Sequence, residues 1–171
     1  MRQVFCKPLF TCIFFLFINL SLSAQGIENA IESLKAIHGW ENSAEKDSAL
    51  VFQFNYLAEA YSGQKDSLAL RYIDSLRQML TRSKWNKTEG LYLRAMGKYH
   101  DRRGEFEQAL DQYTKAITSF EKNHDQSELI AYTHILKAFV LNNNGLYDEC
   151  QAVLERIRPL AEKLPNKNYL A

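Results

Sequence analysis

The chain has 171 residues, 46% of them hydrophobic and 24% charged, and its 21 basic and 20 acidic side chains leave a formal charge of +1. That length suits one domain and that apolar fraction supplies a packed interior, so disorder is excluded, while the near-neutral balance excludes a global electrostatic pull on nucleic acid or anionic lipid. Only seven glycines and three prolines interrupt a chain rich in Ala, Leu, Glu, Lys and Gln, which predicts an all-α fold.

Residues 1–24 differ from the rest. Arg2 and Lys7 precede an apolar run from Leu9 to Leu22, and Ser21, Ser23 and Ala24 close it. This is the pattern of a secretory signal peptide cut after Ser23 or Ala24, and it predicts a periplasmic or secreted product. An uncleaved anchor is the alternative and the one route to a membrane. Against it, the run is shorter than the ~20 residues that span a bilayer and contains Asn19. Cys6 and Cys12 lack the preceding small residues of a lipid-attachment site, since Thr11 follows bulky Phe10. Cleavage removes two bases and no acid, shifting the formal charge from +1 to about −1. It also leaves Cys150 as the last cysteine, so no disulfide can form within the chain.

Residues 25–44 carry one amphipathic helix, Ile27 to His38, closed by Gly39. Three helix-turn-helix units follow, over 45–83, 86–122 and 125–163. The second is the clearest: two apolar series at helical spacing, from Gly90 to Ile117, are separated by Arg103-Gly104. Asn86-Lys-Thr-Glu89 and Asp125-Gln-Ser-Glu128 have the form of capping boxes, and Asp47 and Asp66 read as further caps. Gly97 and Ala109 are small enough to let the two helices of the unit close on each other. Tyr113 and Ala116 share a face that would meet the next unit, and Gly104 suits a left-handed turn.

The marks recur 41 residues on, where Ala138, Gly145, Tyr147, Cys150, Leu154 and Ile157 answer Gly97, Gly104, Phe106, Ala109, Tyr113 and Ala116. Upstream, Ala69 lies 40 residues before Ala109, and the turn around Gly63 to Asp66 is expected to be one residue shorter. Pro159 predicts a kink in the last helix. Residues 164–171 read as the truncated start of a further helix. They would leave the final apolar face uncapped and open to self-association.

In order, Gly97, Gly104, Phe106, Ala109, Tyr113 and Ala116 match the small, turn and aromatic positions of the tetratricopeptide repeat family, which the chain resembles over about residues 45–163. The period is that of the family's longer, roughly forty-residue variety. Glu121 stands where the family's late proline would be. The resemblance implies a right-handed solenoid of antiparallel helix pairs whose first helices line a concave groove for a protein or peptide. Carried over position by position, the groove residues are Asn55 and Glu59, then Arg94, Lys98, Asp101 and Arg102, then Tyr132, Phe139, Asn142 and Asn143. Arg94, Lys98 and Arg102 recur every fourth residue and so form one basic stripe, suited to an acidic or carboxylate-bearing peptide. A solvated helix face is the plainer reading of the same residues. The family's clamp for chaperone tails needs a lysine and an asparagine where Asn55 and Glu59 stand, so that activity does not transfer. A second reading makes the chain the exported input module of a bacterial signalling protein, a histidine kinase or a helix-turn-helix regulator.

No catalytic constellation is present, and the chain reads as a binding protein rather than an enzyme, with no cofactor, metal or nucleic acid called for. His38, His100, His124 and His134 do not have metal-ligand spacing, although His100 and His134 are candidates for a structural pair. Cys150, at the position of Ala109, reads as a small buried wedge rather than a reactive thiol. Tyr92, Tyr99, Tyr113 and Phe120 fall at helical spacing and read as core rather than as base-stacking platforms. Asn86-Lys-Thr88 is a formal glycosylation sequon, but helix capping explains Asn86 without a modification and is the preferred reading.

Overall fold

A computed structural model describes residues 25–123 and 127–163. The leader over 1–24, the cap at Asp125, His124 and the segment 164–171 lie outside the described residues. Among those described there are seven α-helices and no strand: α1 over residues 25–38, α2 Ala44–Tyr61, α3 Asp66–Arg82, α4 Thr88–Arg102, α5 Phe106–Glu121, α6 Ser127–Asn143 and α7 Tyr147–Ala161. None is long and apolar enough to cross a membrane. The protein is all-α.

Helices pair as the sequence predicts, α2 with α3, α4 with α5 and α6 with α7. Each pair rests on the next, with α3 against α4 and α5 against α6. The first helices also touch one another, α2 with α4 and α4 with α6. The α1 side chains Ala30, Leu34 and Ile37 join Leu50, Val51, Leu57, Leu76 and Leu91 in the largest core cluster.

Each pair turns on a glycine with positive φ: Gly63 at 76°, Gly104 at 73° and Gly145 at 77°. A side chain there would carry the ~1–2 kcal/mol penalty of the left-handed region. After Gly104 and Gly145 the Glu105 and Leu146 amides donate to the carbonyls of His100 and Leu141, and the next helix starts two residues beyond the glycine. After Gly63 both Gln64 and Lys65 precede α3, and both amides reach the Tyr61 carbonyl. The first connector is therefore one residue longer beyond its glycine, not shorter.

Close packing explains the small residues. A Cβ on Gly97 would lie 2.7 Å from two ring carbons of Tyr113, and one on Gly90 would lie 2.3 Å from the Phe120 ring. Both rings are fully buried, and Tyr113 packs with Ala109, Leu136 and Val140, which carries the α5–α6 contact. Cys150 is buried with Ala138 and Leu141, as a wedge should be.

The helix starts differ from expectation. Ser43, not Asp47, caps α2 by accepting from the Lys46 amide at 3.1 Å, and Asp47 pairs with Arg82 at 3.0 Å. Neither Asn86 nor Asp66 is a cap residue: α3 and α4 begin after Lys65 and Lys87, with no side-chain cap bond. Glu89 accepts from Ser119 at 2.6 Å rather than closing a capping box, because α5 brings that hydroxyl within reach. Helix α7 continues past Pro159 to Ala161. Where α5 applies Phe106, Leu110 and Tyr113 to α6, α7 has exposed Tyr147, Gln151 and Leu154 at the same spacing, so its outer face is part polar.

Candidate functional site: the cleft between α4 and α6

Nine of the ten groove candidates divide into a buried knot and an open cleft, and Asn142 belongs to neither. Arg94 is only 6% exposed and Asn55 only 3%. From α4, the Arg94 guanidinium donates to Glu59 Oε1 at 2.7 Å and to Asn55 Oδ1 at 2.6 Å, both on α2. Asn55 Nδ2 donates to Glu59 Oε1 at 3.0 Å and to the Leu91 carbonyl at 2.9 Å. On its other side Arg94 lies 4.9 Å from the ring centre of Tyr132 on α6. One guanidinium thus ties the first helices of three successive pairs. A charge so placed is stable only because carboxylate, amide and ring replace its water.

Because Arg94 is consumed inside, the stripe of three bases does not face solvent as a unit. Lys98 forms a 3.5 Å ion pair with Asp101, both mostly covered, whereas Arg102 is exposed and forms no ion pair among the described residues. Beyond the knot, Lys98, Asp101 and Arg102 of α4 and Tyr132, Ile135, Leu136, Phe139 and Asn143 of α6 border a cleft of about 450 Å³. Phe139 is 61% exposed at its mouth. Asn142 is exposed but is not among the lining residues. Glu59 and Arg102 also border a smaller depression over Gly63, so Arg102 stands between the two.

The electrostatics follow from burial. Desolvation raises the Tyr113 phenol well above its usual range, and the Asp101 and Glu59 carboxylates add to the shift. Its hydroxyl is buried with no hydrogen-bond partner among the described residues. Tyr132 is raised by burial and by Glu59, an effect that Arg94 opposes. A Lys–Asp pair, one free guanidinium and an apolar wall can hold a polar chain with an apolar side group. They provide no nucleophile–base pair.

The two candidate histidines are not bonded to each other. His100 Nδ1 lies 2.6 Å from Glu105 Oε2, and this bond, with the one from Arg103, holds the Glu105 carboxyl below its ordinary range. Burial, with Arg156 and Lys137 adding repulsion, lowers His134 to about 4, and its Nδ1 is buried without a partner. No group of three or more His, Cys, Asp or Glu among the described residues is arranged to hold a metal. Asn86 is exposed while Thr88 of the sequon is buried, its hydroxyl donating to the Trp85 carbonyl at 2.8 Å.

Sequence reasoning missed the apolar wall of Ile135 and Leu136 and the knot around Arg94. The knot left a trace: Gly90, Arg94 and Gly97 are spaced four and three apart, which places the arginine on the face where α4 has no side chains to spare. No family model, curated protein or solved structure matches the chain.

Proposed function

We propose that the chain is an exported, tetratricopeptide-like scaffold, a right-handed stack of helix pairs that binds a protein or peptide in the α4–α6 cleft and catalyses nothing. The observation that carries the reading is the cleft itself. It joins an exposed Phe139 and the uncommitted Arg102 across a gap bounded by consecutive first helices. Supporting it, first helices touch first helices, and three positive-φ glycines recur every 41 residues. The ligand that fits is an extended peptide with a carboxylate for Arg102 and an apolar side chain for Phe139.

The test is affinity capture from an envelope extract with the wild type and with Arg102→Glu plus Phe139→Ser. Both positions are exposed, so the far-ultraviolet helical signal should persist while the captured partner disappears. Equal capture by the double variant would place the partner elsewhere.

A further inference from the structure

Helix α2 is covered almost all round. Between Lys46 and Tyr61 the exposed residues are Phe52, at 53%, and Tyr56, at 42%, one turn apart on the same face. Two neighbouring exposed rings, on a helix whose other residues from Lys46 to Tyr61 are buried or half-buried, make an apolar patch open to a partner. The patch extends onto the connector before α4, where the Trp85 ring lies 6.3 Å from that of Phe52. Lys87 Nζ stands 5.6 Å from the Trp85 ring centre, and exposed Lys84 precedes it. The neighbouring acid Asp47 is paired with Arg82, and Glu89 is turned towards Ser119. The aromatic surface is therefore edged by two lysines that form no ion pair among the described residues. It also adjoins the beginning of α1, where a Cβ on Gly26 would lie 2.2 Å from the Tyr56 hydroxyl.

We propose that Phe52, Tyr56, Trp85, Lys84 and Lys87 form a docking surface for an anionic lipid bilayer, distinct from the α4–α6 cleft. Aromatic rings with a polar edge settle at the level of lipid headgroups, and lysines beside them add local attraction that a near-zero net charge does not cancel. Docking here leaves the Phe139 side of the cleft for a partner, as it belongs to α6 and the patch to α2 and the α3–α4 connector.

Trp40 and Trp85 are the two tryptophans of the chain. Trp40→Phe therefore makes Trp85 a single fluorescent reporter. The purified full chain with this change is mixed with phosphatidylcholine vesicles, with or without phosphatidylglycerol, and with brominated lipids as quenchers. The expected result is a blue shift and quenching of Trp85 on the anionic vesicles. Lys84→Gln with Lys87→Gln should weaken that response about 25-fold, at roughly fivefold per lysine near an anionic surface. Phe52→Ser should reduce the depth of quenching. Attachment through residues 1–24 alone would sediment the chain with vesicles yet leave Trp85 indifferent to all three substitutions, and that outcome overturns the proposal. So does a patch that stays water-exposed on vesicles but is covered by a captured protein.

Discussion

Replacing Arg94 by methionine keeps most of the side-chain volume and removes the guanidinium that spans α2, α4 and α6. Two short charge-assisted bonds disappear, those to Glu59 at 2.7 Å and to Asn55 at 2.6 Å. The Glu59 carboxylate is left with Asn55 Nδ2 in a site where its side chain is 14% exposed. Breaking a buried pair by removing one member costs about 3–5 kcal/mol, and partial solvent access at Glu59 places this case near ~3 kcal/mol. In a domain of this size each kcal/mol moves the melting temperature about 2–4 °C, so a fall of roughly 6–12 °C is expected by calorimetry. Adding Glu59→Gln to Arg94→Met removes the stranded charge and should recover a good part of the loss, giving a coupling of about 1–3 kcal/mol in the double-mutant cycle. A melting temperature within 2 °C of wild type for the single variant, at about 0.5–1 kcal/mol, combined with lost capture of a partner, would refute the buried-knot argument. Arg94 would then belong to the binding surface after all.

Gly97→Ala sets two effects against each other. Alanine gains about 0.5–1 kcal/mol of helix propensity, but its Cβ must sit 2.7 Å from the ring of Tyr113, which is fully buried and has nowhere to retreat. Overpacking of ~1–3 kcal/mol prevails, so urea unfolding should show a net loss, and a stabilised variant would contradict the packing. His134 supplies a pH dependence. Its folded value of about 4 lies below the ordinary imidazole value of 6.5, so the unfolded chain binds the proton more readily. The stabilisation is complete above pH ~6.5 and is lost progressively as pH falls towards ~4. His134→Gln should flatten the melting-temperature profile across that window, and an NMR titration midpoint near 6.5 for His134 would disprove the shift.

Much of the architecture was readable because it is written locally. Gly104 and Gly145 sit between two apolar series each, and the required left-handed turns are where those glycines predict them. The close approach of α4 and α5 at Gly97 was also readable, but its neighbour was not: Ala109 is the expected partner, and the Tyr113 ring is what lies there. The caps were misjudged because Asn86, Asp47 and Asp66 satisfy a local pattern that longer-range partners override: Arg82 draws Asp47 away, and Ser119 draws Glu89. The site was half legible. Lys98, Asp101, Arg102, Tyr132, Phe139 and Asn143 do meet around one cleft. Arg94 obeys the same spacing as Lys98 and Arg102 yet turns inward. Spacing along one helix gives its angle about that helix, whereas burial depends on what α2 and α6 bring alongside.

The three glycine corners also bear on how such a chain can change over time. Among the described residues each pair of rods closes on itself within about forty residues and makes most of its contacts with the pairs beside it. Such a chain is open to change at its corners, but its joints are not interchangeable, because α2 lies against α4 far more extensively than α4 lies against α6.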